Sequence, residues 1–515
     1  MSKLELRQRP PYRTMLWRRA IVILLILIQL LVMGYYLYST SQASQIMNTA
    51  LLVISICVTL YIVGKQDKPA YKILWIMLIL TLPIFGGCIY LLFNHQTMSR
   101  RFRKQLNAME EWSLPLYFRG RKAPEITKEY AEFRPQIQYL EDHAGYPLFE
   151  ATQTKFLNSG EAYFAQLLQE LEKAERYIFV ESFILSEGRM LDTVLDIMER
   201  KAAEGLDVRL MYDDIGCFLT LPRNYRKKIA ARGIRCTVFN PFSPVLSTLQ
   251  NNRDHRKIVS IDGKIAFTGG INLADEYINE FEKHGHWRDS AVMLTGAAAW
   301  SLTLIFLELW HVSNKDMENF DALYPWDKPC TIESDGLVQP YADSPVDDEN
   351  VGEHVYIQII NNAKDYVYIN TPYLIIDDNL MSALKLSAKS GVDIRIITPH
   401  VWDKRLVHIT TRSYYRELIQ AGIRIYEYSR GFNHSKTFVS DDRIATVGTT
   451  NLDYRSLYLH FECGVTMYRS SAVMDVKEDF LNTIPICQEI TLEMCKAGAL
   501  KRMMQEVLRV FSPLM

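Results

Sequence analysis

Two stretches of the chain, DHRKIVSIDGKIAFTGGIN and NHSKTFVSDDRIATVGTTN, place the same residue types at the same intervals. Each reads His-x-Lys-x-x-x-x-Asp, then a Gly, then an Asn seventeen residues after the His. The first copy supplies His255, Lys257, Asp262, Gly269 and Asn272; the second supplies His434, Lys436, Asp441, Gly448 and Asn451. One copy alone carries little weight, because a His and a Lys two apart on a strand often face solvent. Two copies predict a catalytic role. Residues i and i+2 of a strand project from one face, so each His and Lys point together toward one pocket. Two such halves brought together give two imidazoles and two ammonium groups, a set that suits a phosphodiester. The cations stabilise charge on the non-bridging oxygens, above all in the transition state. One imidazole can attack phosphorus while the other protonates the departing oxygen, and an unperturbed imidazole pKa near ~6.5 fits such acid and base work.

This chemistry needs no metal and no other cofactor. The eight cysteines form no C-x-x-C pair and no His/Cys cluster at metal spacing, so neither structural zinc nor a disulfide framework is expected. Formal net charge is −1, from 58 basic and 59 acidic residues, which argues against a surface built to hold nucleic acid.

The elements that position these residues repeat as well. LEKAERYIFVESFIL matches INNAKDYVYINTPYL, each a helix end running into an apolar strand. AAEGLDVRLMYDD matches AKSGVDIRIITPH, a helix closing at Gly205 or Gly391 before a buried strand. RGIRCTVFN and AGIRIYEYS follow as turn and strand. Alternating helices and strands in both halves predict the α/β class, with two homologous α/β sandwiches packed as a pseudo-twofold pair. Residues 146–330 are read as the first of these domains and 331–515 as the second.

Ahead of them, residues 1–95 read as a membrane region of two or three transmembrane helices, and 96–145 as a juxtamembrane linker. Apolar segments fall at 20–38, 50–63 and 73–93, each near the length that crosses the hydrocarbon core. The second is short and rich in Ser and Thr, and Pro83, Gly86 and Gly87 interrupt the third. Arg7, Arg9, Arg13, Arg18 and Arg19 precede the first segment, placing the N-terminus inside. Three crossings then put the catalytic part outside. Two crossings, with Arg100, Arg101, Arg103 and Lys104 meeting anionic lipid, return it to the cytoplasmic face. At the other end, ALKRMMQEVLRVFSPLM is amphipathic at helical spacing and is expected to pack on the catalytic core.

The duplicated motif resembles that of the phospholipase D superfamily. The stretches KPAYKILWIMLILTLPIFGGCIYLLF, GGINLADEY, GTTNLDYRSLYLHFE and FSPLM are similar to bacterial cardiolipin synthases over about residues 50–515. The resemblance implies a phosphohistidine intermediate, with His255 or His434 as nucleophile and the other as general acid and base; the family's usual order favours His255 as the nucleophile. It implies that Lys257, Lys436, Asn272 and Asn451 hold the phosphate, and that Asp262 and Asp441 complete the catalytic motif as strand-turn supports rather than proton carriers. It also implies a carboxylate behind each His, for which Asp289 and Glu462 are the candidates. The chain departs from the family pattern at Asp254, Ser435, Ser440 and His460, the last standing where Asn is usual.

The implied reaction transfers a phosphatidyl group between two phosphatidylglycerol molecules, giving cardiolipin and glycerol, at a bacterial cell membrane crossed more than once. Phosphatidylglycerol and membrane lipids are the implied partners; oligomeric state is not legible. Two other readings share the motif: a hydrolytic phospholipase D or phosphodiesterase, and a non-catalytic membrane scaffold. Apolar segments and charge balance count against a nuclease, and two complete half-sites count against a scaffold.

Overall fold

The computed structural model describes residues 31, 42–65, 68–81, 86–87, 90, 100–241, 251–314, 318–347 and 349–514. The described residues divide into two compact units: those up to 100 with 251 and 510–514, and those from 101 to 241 with 252–509.

In the first unit, helices Gln42–Val63 and Pro69–Thr81 pack through Ile62 and Ile79, with Tyr90 closing the cluster and Trp75 edge-on to it at 5.4 Å. Leu52, Ile54, Leu60, Ile73, Met77 and Leu80 remain exposed. The turn Ser512–Leu514 lies against Pro69–Thr81. Among the described residues no helix is long and apolar enough to cross a membrane, so the expected transmembrane helices are not seen there. Segment 20–38 lies outside the described residues apart from Leu31. Segment 50–63 is the latter part of a helix that opens on polar QASQ and carries Ser55 and Thr59. Segment 73–93 is described as continuous helix only to Thr81; the 13 residues of that helix rise about 20 Å, short of the roughly 30 Å hydrocarbon core.

In the second unit the repeat becomes two sheets with matching strand order. The first runs Thr152–Leu157, Ala291–Gly296, Ile265–Gly269, Ile258–Ile261, Tyr177–Ser182, Asp207–Asp213, Arg235–Phe239. The second runs Leu337–Asp343, His460–Tyr468, Ile444–Gly448, Thr437–Ser440, Tyr366–Asn370, Asp393–Pro399, Arg424–Tyr428, and adds Cys487–Glu489. In both, pairing is antiparallel as far as Tyr177–Ser182 or Tyr366–Asn370 and parallel over the next two strands. Parallel neighbours require crossovers, here helices Arg189–Ala203 and Asp378–Lys389. Each closes at the glycine the sequence marks, Gly205 at φ +95° and Gly391 at φ +101°, a left-handed conformation that favours Gly at a helix end.

Helix Ala299–Asn314 is apolar all round and buried from 299 through 312, as such a composition requires. It touches strands of both sheets. The stretch 96–145, read as a linker, is folded from Arg100: helix Arg100–Tyr117 buries Leu106, Met109, Ser113 and Tyr117, and Ser113 Oγ donates to Glu308 of the buried helix at 2.5 Å. The C-terminal helix Ala499–Val510, expected to pack on the core, has no buried residue. It meets the rest of the chain through Arg509, which lies over the Tyr414 ring and pairs with Glu417, and Leu508 and Val510 are half-buried, while Leu500, Met503, Met504 and Val507 stay exposed.

Two short parallel pairings cross between the halves: His286–Arg288 with Gly431–Asn433, and Arg253–Asp254 with His460 and Phe461.

Candidate active site

These crossing pairs set the site. His255 follows Arg253–Asp254, and its N–H donates to the Phe461 carbonyl at 3.0 Å; His434 follows Gly431–Asn433, and its N–H donates to the Arg288 carbonyl at 2.7 Å. The residue after Phe461 is Glu462, and the residue after Arg288 is Asp289. Each crossing strand therefore delivers a carboxylate to the imidazole of the other half. His255 Nδ1 lies 2.9 and 3.0 Å from the two oxygens of Glu462, and His434 Nδ1 lies 2.6 Å from Asp289 Oδ2. All four groups are buried. A carboxylate that accepts from Nδ1–H fixes the tautomer and leaves the lone pair on Nε2.

Lys257 and Lys436 are buried beside them, and each Nζ donates to the carbonyl of the His two residues earlier. Lys436 Nζ also lies 2.9 Å from His434 Nδ1, where it competes with Asp289. Burial is the main electrostatic influence on all four groups. With help from the lysines, it drives His255 well below the usual imidazole range and His434 down to about 4. It also lowers Lys257 to about 8 and Lys436 to about 7, against the opposing pull of Glu462 and Asp289 respectively. Both imidazoles are accordingly neutral near pH 7, and the lysines sit close to their titration points.

The motif glycines close the strands against the carboxylate-bearing partners. A Cβ at Gly269 would sit 2.4 Å from the Ser290 carbonyl oxygen, and one at Gly448 would sit 2.5 Å from that of Cys463. No side chain fits there. Ser290 and Ser435 hydroxyls meet at 2.5 Å across the halves.

The remaining motif residues are placed differently. Asn272 is held by the protein: Oδ1 accepts from Ile184 N–H at 2.9 Å and Ser182 Oγ at 3.3 Å, and Nδ2 donates to Tyr277 Oη at 2.6 Å. Asn451 is looser, with Nδ2 3.4 Å from Asp453 Oδ2 and Oδ1 without a hydrogen-bond partner among the described residues. Asp262 and Asp441 stand at the far ends of their strands from the histidines, both at φ +53°. Asp262 accepts from the N–H groups of Glu175, Arg176 and Tyr177 at 2.8–2.9 Å. Asp441 accepts from Lys364, Asp365 and Tyr366 at 2.8–3.0 Å. They brace the turn onto the neighbouring strand and are not brought into the imidazole cluster.

Sequence reasoning missed the aromatic walls and the placement of His460 beside His255 and Glu462. Phe183 stands edge-on to His255 at 4.9 Å, and Tyr277 and Trp287 flank His434 at 5.6 and 5.2 Å. His460 lies 5.5 Å from His255, ring centre to ring centre, and its Nδ1 is 3.7 Å from Glu462 Oε1. His255, His460 and Glu462 offer ligand atoms within 4.8 Å of one another and could hold a metal ion. The imidazole-orienting role of Glu462 uses one of the same atoms. A shared carboxylate was the available signal, since His460 stands two residues before Glu462 on one strand face.

A family model described as "Cardiolipin synthase, PLD-like domain" matches residues 167–286 and 356–484, and one described as "Phospholipase_D-nuclease N-terminal" matches 50–93. An uncharacterized protein of Streptococcus mutans is 43% identical over 434 residues, 84% of this chain and 94% of that one. A cardiolipin synthase of a Geobacillus species is 34% identical over 456 residues, 88% of this chain and 90% of its own. One of Halalkalibacterium halodurans is 32% identical over 500 residues, 95% and 99%. Among solved structures, phosphatidylserine synthase of Haemophilus influenzae matches with a TM-score of 0.55 at 16% identity, covering 74% of this chain and 98% of that one. That likeness concerns the fold.

Proposed function

This chain belongs to the cardiolipin synthase family with phospholipase D-like domains, and from that membership we propose that it is a phosphatidyltransferase that joins two phosphatidylglycerol molecules into cardiolipin and glycerol. The observation that carries the reading is the pair of reciprocal imidazole–carboxylate contacts, His255 with Glu462 and His434 with Asp289.

In the first half-reaction His255 Nε2 attacks phosphorus. The bond from phosphorus to the glycerol oxygen breaks, and His434, whose protonated form the negative charge of the bound phosphodiester favours, donates its Nε2 proton to that oxygen. The carboxylate of Glu462 balances the charge that His255 gains as the phosphohistidine forms. In the second half-reaction the hydroxyl of another phosphatidylglycerol attacks the phosphohistidine, His434 takes its proton, and the P–N bond breaks to restore His255. Lys257, Lys436 and the loosely held amide of Asn451 carry the phosphate oxygens; Asn272 fixes the loop that faces them. Transfer prevails over hydrolysis where the acceptor lipid is oriented and water kept out, and the buried, aromatic-walled cluster supports that condition. Asp262 and Asp441 act on the fold. Residues 146–330 and 331–515 form the paired domains, and the N-terminal segments hold them at the bacterial membrane, a reading supported by the exposed apolar residues of Gln42–Val63 and Pro69–Thr81.

Turnover of phosphatidylglycerol labelled in both its phosphatidyl and its glycerol moieties tests the proposal. Labelled cardiolipin and free glycerol are expected, whereas phosphatidic acid as the main product would assign a hydrolase. His255→Ala and His434→Ala should each lower turnover by on the order of 10³-fold or more. Covalent label trapped on His434 instead of His255 would reverse their roles.

A further inference from the structure

Helix Ala499–Val510 is twelve residues long and buries none of them. Leu500, Met503, Met504 and Val507 are between 43 and 76% exposed. They stand at i, i+3, i+4 and i+7, so they form one apolar stripe, and Phe511 beyond the helix is 44% exposed. A helix this short gains too little from backbone propensity to hold its shape in water. Its apolar face needs a cover.

Charge identifies the cover. From 496 to 511 the chain carries Lys496, Lys501, Arg502 and Arg509 against Glu506 alone. Beside the helix is a cleft of about 570 Å³ on which Arg412, Arg416, Lys496, Arg502 and Arg509 outnumber Glu417 and Glu506. A second cleft brings Trp402, 47% exposed, together with Lys501 and Met504. An exposed indole beside cations and apolar side chains is the composition of a bilayer boundary, where the ring lies at headgroup depth. A second copy of this face would bring like charges together, which disfavours it as the occupant. The chain then continues directly into Ser512–Leu514, which packs on the apolar helix Pro69–Thr81.

We propose that helix Ala499–Val510 lies on an anionic lipid bilayer, its Leu500, Met503, Met504 and Val507 entering the headgroup–acyl boundary while Lys501, Arg502 and the neighbouring arginines meet lipid phosphates. The helix is a membrane contact separate from the N-terminal segments. The inference does not depend on the reaction, and its test reads lipid contact rather than turnover.

Amide hydrogen exchange of the full-length protein in nanodiscs is the experiment. In discs containing phosphatidylglycerol, exchange over 499–511 is expected to slow by about tenfold or more relative to discs of phosphatidylcholine alone. In the Met503→Asp/Val507→Asp variant that protection should vanish, while turnover of detergent-dispersed substrate stays within about twofold. Equal exchange in the two kinds of disc, or protection retained in the variant, overturns the proposal. Protection that grows with protein concentration and ignores lipid charge marks a second copy on the face and overturns it too.

Discussion

Glu462→Gln and Asp289→Asn each leave a buried imidazole beside a neutral amide, which can turn its NH₂ toward Nδ1 and favour the wrong tautomer. Turnover is expected to fall by about 10²-fold or more in each variant with little change in melting temperature; near-wild-type rates would show that the contacts are not used. A second outcome follows from the lysines. Lys436 is held down to about 7 and Lys257 to about 8, chiefly by burial, and an oxyanion between them raises both by opposite charge. The complex then binds more protons than the empty site, so affinity must weaken as pH rises through these values. Titration with tungstate should show Kd rising at least about tenfold from pH 7 to pH 9, with net proton uptake in calorimetry; a flat profile would contradict the assignment. At this scale the six motif residues were legible from spacing alone. Glu462 and Asp289 were reached through family resemblance, because a lone carboxylate in HFE or WRDS has no period or motif to mark it. Which carboxylate serves which imidazole was not legible, since the pairing runs across the halves and sequence order gives no hint of it.

Strand-turn aspartates belong to the next scale. Asp262→Ala and Asp441→Ala each remove the acceptor for three backbone N–H groups and put Ala at a left-handed φ that Asp tolerates better. The expected result is a loss of about 2–4 kcal/mol in denaturant unfolding. Turnover per folded molecule should stay within about tenfold of wild type, and a larger fall without destabilisation would move these residues back into the chemistry. The long strands and crossover helices were legible, because YIFVES, YVYIN and the glycine-terminated helices repeat in both halves. The crossing pairs were not. Arg253–Asp254 and Gly431–Asn433 are two and three residues long, too short to show alternation, and their partners lie far away in sequence. The C-terminal stripe was legible as amphipathic, but periodicity cannot say what covers an apolar face.

For the whole molecule, membrane sidedness is the outstanding quantity. On the expectation drawn from the basic residues around the N-terminal segments, the N-terminus is inside and three crossings would carry the catalytic unit outside. A single Cys at Ser99→Cys, in a variant stripped of the eight native cysteines, should react with a membrane-impermeant thiol reagent on intact cells. Labelling only after permeabilisation would place the catalytic unit in the cytoplasm and reduce the crossings to two. Duplication was the most legible property at this scale, since both the elements and the polar residues recur. The reciprocal pairing of the halves has a consequence in time. His255 and its carboxylate Glu462 are 207 residues apart, and at ribosomal speeds of ~5–20 residues per second that gap lasts roughly 10–40 s. Throughout that interval a nascent chain carries His255 without the carboxylate that contacts its imidazole, and until residue 434 is added it lacks the second imidazole as well. The growing polypeptide is thereby harmless to the lipids around it until translation is nearly finished.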